Sequence, residues 1–159
     1  MNEAFFAVVN PVAGHGRCGR EAGPALQSLR SAGVPLEIVE TRYAGHGTEL
    51  VREAYRKGYR RFLGVGGDGI AYEIVNGLFP GAETGDRPTL AVLPLGTGNS
   101  FLRDFTTEHE AEYARQAILQ GRSRPCDVLR MRHRDGVIHY INLLSVGFAA
   151  DAAAVTNRQ

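Results

Sequence analysis

The chain has 159 residues, of which 43% are hydrophobic and 22% charged, with a net charge of +1 from 18 basic and 17 acidic side chains. That length favours one domain with a sizeable core, and the near-neutral balance points away from nucleic-acid binding. The two cysteines, Cys18 and Cys126, form no CxxC pair, so neither a disulfide framework nor a zinc site is expected, and a reducing cytoplasm suits the chain.

The N-terminus "MNEAFFAVVNP" lacks a basic n-region, so no signal peptide is expected. No apolar stretch approaches the length of a membrane span, so any membrane contact is expected to be peripheral. "AFFAVVN" (4–10) reads as a buried strand running into the glycine-rich loop "NPVAGHGRCG". A helix follows, with Ala25, Leu26 and Leu29 on one face and a stop at Gly33. "PLEIVET" (35–41) is a second strand. The next helix carries Leu50, Val51, Ala54 and Tyr55 as its apolar stripe and ends at Gly58. "RRFLGVG" (60–66) is a third strand and "IAYEIVNGLF" a third helix. "TLAVLPLG" (89–96) is a fourth strand, and "GNSFLRDF" a short helical turn. A further helix over "TEHEAEYARQAILQG" opens with a capping box, Thr107 and Glu110, and turns Ala114, Ala117 and Ile118 inward. The tail "RPCDVLRMRHRDGVIHYINLLSVGF" reads as two strands joined by a turn at Arg134-Asp135-Gly136.

Strand–helix alternation predicts an α/β fold, a mostly parallel sheet with flanking helices. Ligands of such sheets bind beyond the carboxyl ends of the strands. Glycine loops follow the first, third and fourth strands, as "NPVAGHG", "GGDG" and "LGTGN", so all three are expected along one edge.

The central loop, in "FLGVGGDGIAYEIVNGLF" (62–79), sets Gly66, Gly67 and Gly69 around Asp68. Missing side chains open room beside the backbone, and N–H groups at a helix start favour an anion. Asp68 would repel that anion unless a cation or a proton stands between them. Mg²⁺ bridging the carboxylate and phosphate oxygens resolves the conflict, as does a carboxylate that takes a proton from an attacking hydroxyl. Both roles belong to phosphoryl transfer. The plain alternative is a tight turn in which Asp68 caps the next helix. In "PLGTGNS", Thr97 between Gly96 and Gly98 offers a hydroxyl and an N–H to a phosphate oxygen, and Asn99 braces the turn. Asn10 is a hydrogen-bonding handle at the end of the first strand.

Other chemistries fit less well. The histidines show no HxxxH or HExxH spacing, Ser100 and Ser145 lack a GxSxG setting, and GxxxxGK[ST] is absent. "GHGRCG" (14–19) mimics a dinucleotide fingerprint, with Glu37 and Glu40 only loosely at the expected distance. The basic run "RSRPCDVLRMRHR" suits phosphate or anionic lipid, or simply a solvated face.

Taken in order, "NPVAG", "T…GHGTEL", "GGDGIAYEIVNGL", "LAVLPLGTGNSFLRDF" and "INLLSVGFAAD" resemble the diacylglycerol kinase catalytic domain superfamily, over residues 5 to about 155. That superfamily includes bacterial lipid kinases and the sphingosine and ceramide kinases. The resemblance implies an α/β nucleotide-binding domain, related to that of NAD kinases and phosphofructokinases, joined to a β-rich lipid-binding domain. It implies ATP- and Mg²⁺-dependent phosphorylation of a lipid hydroxyl, of diacylglycerol, ceramide or sphingoid type, at a membrane surface. Residues 1–123 would be the ATP-binding domain and 124–159 the beginning of the second, cut short at "AAAVTNRQ". Such a chain is expected to be incomplete or weakly active alone, and a homodimer stays open. By the same resemblance Asn10 opens the Asn-Pro motif and Thr41 contacts nucleotide. Gly66, Gly67, Asp68, Gly69, Ile70, Ala71 and Tyr72 form the central ATP loop, with Asp68 its essential acid and metal-side group. Glu73 and Asn76 brace that loop, and Gly96, Thr97, Gly98 and Asn99 form the second phosphate-side loop.

The sequence departs from the family pattern at four places. Ile70 replaces a threonine, Tyr72 an asparagine, and Ser100 an aspartate linked to the Mg²⁺ network in diacylglycerol kinase types. Ala153 stands near the acid that meets the amine in sphingosine kinases. Ser100 leans toward the sphingosine- and ceramide-like branch or toward weaker activity, whereas Ala153 argues against a free sphingoid base. An NAD-kinase-like enzyme is the first rival, but "LGTGNSF" lacks the asparagine–glutamate pair of that family. A non-catalytic nucleotide-binding module is the second.

Overall fold

A computed structural model describes residues 2–106 and 110–142. The expected capping box at Thr107, and Ser145, Ala153 and most of "INLLSVGF", lie outside the described residues.

The order of elements is β1 (Asn2–Val9), α1 (Arg17–Ser31), β2 (Leu36–Glu40), α2 (His46–Arg56), β3 (Tyr59–Gly66), α3 (Asp68–Leu78), α4 (Gly81–Thr84), β4 (Thr89–Pro94), α5 (Ser100–Arg103), α6 (Glu110–Leu119), β5 (Leu129–His133) and β6 (Gly136–Tyr140). The alternation expected from the sequence is present. The short α4 was not expected, and α3 begins at Asp68 rather than at Ile70, so the acid of the glycine turn is already helical.

The main sheet has strands in the order β2-β1-β3-β4, and its three pairings are parallel. Both faces are covered, which is why β1 reads as an unbroken apolar run. Phe5, Ala7 and Val9 point into a core closed by Leu26 and Leu29 of α1 and by Ala114 and Ile118 of α6. Phe6 and Val8 point the other way, against Val51 and Ala54 of α2 and Ile70, Ile74 and Leu78 of α3. Helices α2 and α3 approach so closely that a Cβ on Gly77 would come within 2.7 Å of Val51 Cβ. Parallel strands fed by crossover helices all end on one edge, and that edge carries Asn10, Thr41, Gly66 and Leu95.

β5 and β6 form a separate antiparallel hairpin. It is tied to the α/β body by Glu83 of α4, which accepts from Arg130 at 3.3 Å, and most closely by Asn76. Asn76 of α3 donates Nδ2–H to the His139 carbonyl at 2.8 Å and accepts the His139 N–H at 2.9 Å. The amide thus mimics a strand neighbour for β6, and the His139 ring stacks on Phe79 with centroids 4.7 Å apart.

Candidate nucleotide site

The three glycine loops meet. A cleft of about 270 Å³ at the carboxyl edge of the sheet is lined by Asn10, Ala13 and Gly14 from the first loop, Gly67 to Ile70 from the second and Gly96 to Gly98 from the third.

Two of these loops are stitched together through their backbones. Leu95 and Gly96 both donate N–H to the Gly66 carbonyl at 2.9 Å, and Asp68 donates its N–H to Gly98 at 3.1 Å. The glycines at this seam are there for each other. A Cβ on Gly96 would lie 2.4 Å from Gly67 Cα, and one on Gly67 would lie 2.6 Å from the Gly98 carbonyl oxygen. Gly69 is different, since a Cβ there would meet nothing within 4 Å. The glycine density therefore serves loop-to-loop contact at the seam and open space only at Gly69.

Asp68 sits at the seam. Its Oδ2 accepts the Ser100 N–H at 2.9 Å and its Oδ1 the Phe101 N–H at 3.1 Å. The carboxylate does act as a cap, but of α5 across the cleft and not of its own helix. Negative charge is favoured there by the exposed N–H groups of a helix start. Each oxygen keeps a further lone pair, and Asp68 lines the cleft. Mg²⁺ commonly takes one or two protein carboxylates and completes its octahedron with phosphate oxygens and water. One half-buried carboxylate beside glycine turns suits that pattern. Among the described residues no three His, Cys, Asp or Glu side chains gather into a metal cage.

The other expected residues divide into two groups. Asn10 lines the cleft and accepts the Val12 N–H through Oδ1 at 3.3 Å. Thr97 and Gly98 line it and are exposed. Asn99 precedes α5, with its Oδ1 buried and without a hydrogen-bond partner among the described residues. Thr41 closes the end of β2 by donating its N–H to Val9 at 2.8 Å, outside the lining of the cleft. Ala71 is buried in the core, and Tyr72 is exposed on α3. Ile70 is buried against Gly64 and Gly66 while contributing to the cleft wall. Glu73 turns to α2, where its carboxylate accepts the N–H groups of Gly45 at 3.0 Å and Gly47 at 2.7 Å.

The dinucleotide-like "GHGRCG" does not present a phosphate-binding helix start. The loop consumes those N–H groups itself: Arg17 donates to Gly14, Cys18 to Ala13 and Gly19 to Pro11, at 3.0–3.1 Å. Gly14 and Gly16, at φ +62° and +79°, allow that tight return. Sequence reasoning passed over Arg17, the first residue of α1. Its guanidinium donates to the carbonyls of Pro94 at 3.3 Å and Gly96 at 3.0 Å. The available signal was a cation placed at a helix start, against the helix dipole.

A family model for the diacylglycerol kinase catalytic domain matches residues 4–131. The chain belongs to that family. Curated diacylglycerol kinases of Staphylococcus aureus, strains bovine RF122 / ET3-1 and MRSA252, are each 33% identical to it over 147 residues. Each alignment covers 92% of this chain and 44% of the relative. A crystal structure of a diacylglycerol kinase from Bacillus anthracis str. Sterne superposes with a TM-score of 0.66 at 32% identity, covering 79% of this chain and 42% of that one. The chain thus spans less than half the length of these relatives. Ile70, where the sequence reading expects a threonine, is packed in the core, and Ser100, where it expects an aspartate, holds Asp68 through its backbone N–H.

Proposed function

We propose that this chain is the nucleotide-binding part of a lipid kinase, which passes the γ-phosphate of ATP to a lipid hydroxyl. Diacylglycerol is the first substrate to test, because the relatives carry that name; ceramide and sphingoid lipids follow. One observation carries the reading: a single carboxylate, Asp68, faces a cleft built from three glycine loops at the carboxyl edge of a parallel sheet.

In this reading the turns at Gly67–Gly69 and Gly96–Gly98 cradle the phosphates, with Thr97 offering its hydroxyl. Asn10 and Thr41 serve the nucleoside side. Mg²⁺, when bound, supplies charge neutralisation at the phosphate oxygens, and Asp68 is the residue that would hold it. The two backbone N–H groups on Asp68 fix the plane of its carboxylate, so its free lone pairs meet either the metal or the proton of the attacking hydroxyl in a set direction. Glu73 and Asn76 act at a distance, by locking α3 to α2 and to the β5–β6 hairpin.

Residues 1–123 are read as the ATP-binding domain and 124–159 as the start of a β-rich lipid-binding unit, of which the β5–β6 hairpin is the described part. No helix among the described residues is long and apolar enough to cross a membrane, and the enzyme is proposed to meet its lipid as a peripheral cytoplasmic protein. Because the relatives are more than twice as long, weak transfer is proposed for this chain alone, since catalysis requires both reactants in near-attack geometry.

The test is calorimetric titration with ATP and Mg²⁺, paired with radiolabelled phosphate transfer to diacylglycerol, ceramide and sphingosine in mixed micelles. Metal-dependent ATP binding and labelled lipid are expected, with transfer strengthened in a longer protein carrying these residues. Absence of ATP binding at millimolar nucleotide would overturn the reading.

A further inference from the structure

We propose that Arg17 is a positioning residue for the phosphate-side turn after β4, a role that rests on the nucleotide reading of the cleft. Arg17 opens α1, whose first turn carries no acidic residue. A guanidinium at that end of a helix is opposed by the dipole, and its ion pair within α1, Nε to Glu21 Oε2 at 4.0 Å, is long and exposed, so it offsets little of that cost. The closer partners lie outside the helix. One terminal nitrogen donates to the carbonyls of Pro94 and Gly96, two residues apart across the point where β4 stops and the glycine turn begins.

The turn needs such a tie. On one side it is held by the seam, through the N–H groups of Leu95 and Gly96 on Gly66. The seam also takes the Gly98 carbonyl, through the Asp68 N–H, but leaves the carbonyl of Gly96. Arg17 takes that carbonyl, so Gly96 is gripped by donor and acceptor at once. Thr97, next in the chain, is exposed in the cleft, and its place is set by how firmly Gly96 is held. The Arg17 side chain also lies under the first loop: a Cβ on Gly14 would come within 3.3 Å of Arg17 Cβ and 2.7 Å of the Leu95 carbonyl oxygen. One side chain therefore ties two of the cleft walls together. A lysine ammonium keeps the charge but lacks the rigid guanidinium plane that aims both N–H groups of that one nitrogen.

The test uses this chain with Arg17→Ala and Arg17→Lys, checked for folding by circular dichroism. Amide hydrogen exchange without nucleotide reads the turn. Exchange at Gly96, Thr97 and Gly98 is expected to quicken about tenfold or more in both variants, with the β1 and β3 core amides unchanged, because local opening sets such rates. Titration with ATP and Mg²⁺ reads the consequence, expected as about tenfold weaker binding in both variants, the scale of one hydrogen bond to a charged group. Unchanged exchange at the turn would overturn the proposal. So would normal ATP affinity despite faster exchange, or an Arg17→Lys variant that binds normally, which would leave Arg17 acting by charge alone. If the unaltered chain binds no ATP, the nucleotide reading falls and this role falls with it; the exchange result then says separately whether Arg17 ties the turn.

Discussion

Asp68 and Glu73 both stand on α3, and each gives its carboxylate to a pair of backbone N–H groups at the start of another helix. Asp68 holds Ser100 and Phe101 of α5, and Glu73 holds Gly45 and Gly47 at α2. Their separation turns the second side chain about 140° further round the helix, from the cleft to the helix–helix face. At Glu73 the contact is closed over: a Cβ on Gly47 would lie 2.6 Å from Glu73 Oε2, and Thr48 Oγ1 bonds the Glu73 carbonyl. At Asp68 the surrounding turns stay open, and the carboxylate lines a cleft. The same bonding pattern is packing in one place and a candidate site in the other. What separates them is access.

The largest effect is expected at Asp68. Asp68→Asn should lower phosphate transfer by about 10²–10⁴-fold, the range of a lost acid–base or metal-side group, while circular dichroism shows the fold retained. Turnover near the unaltered level with the same Mg²⁺ dependence would reduce Asp68 to a cap and erase the contrast with Glu73.

Gly96→Ala drives a methyl into Gly67. Its stability loss in urea unfolding should reach the upper part of the about 1–3 kcal/mol seen for overpacking. A neutral result would mean that the seam opens at little cost. Gly98 is a milder place, because its Cβ would meet only Asp68 Oδ2, at 3.1 Å, and its φ is not positive. Gly98→Ala should therefore leave stability nearly unchanged and affect ATP affinity more.

Thr97→Ala should weaken ATP binding by about 1.5–3 kcal/mol, one hydrogen bond to a charged group, with unfolding unaffected. Equal affinity by calorimetry would remove this turn from the nucleotide.

Glu73→Gln sharpens the comparison from the other side. It trades one charged acceptor for a donor, so unfolding stability should drop by about 1 kcal/mol, with ATP affinity held. A loss of affinity as large as at Asp68 would show that α2 reports directly on the cleft.

The sequence alone determined the layers, the parallel sheet and the three glycine loops that follow its strands. Those features are local: apolar runs for strands buried on both faces, 3.6-residue stripes for helices, and glycines between them. Asp68 was singled out for the same reason, as one acid inside a glycine turn. What the chain did not disclose was which bonds cross between loops. The partners of Asp68 at Ser100 and Phe101, of Arg17 at Gly96, and of Asn76 at His139 lie 32 to 79 residues away along the chain. Local pattern carries no information about such pairs. The Asp68 and Arg17 pairs exist because β4 lies beside β3 in the order β2-β1-β3-β4, which brings two glycine turns into backbone contact, and the Asn76 pair because the β5–β6 hairpin packs against α3. The tertiary structure also decided that the glycines at the seam make room for each other, and that Glu73 turns to α2. A glycine frees space in every direction, and only the packed neighbours determine what fills it.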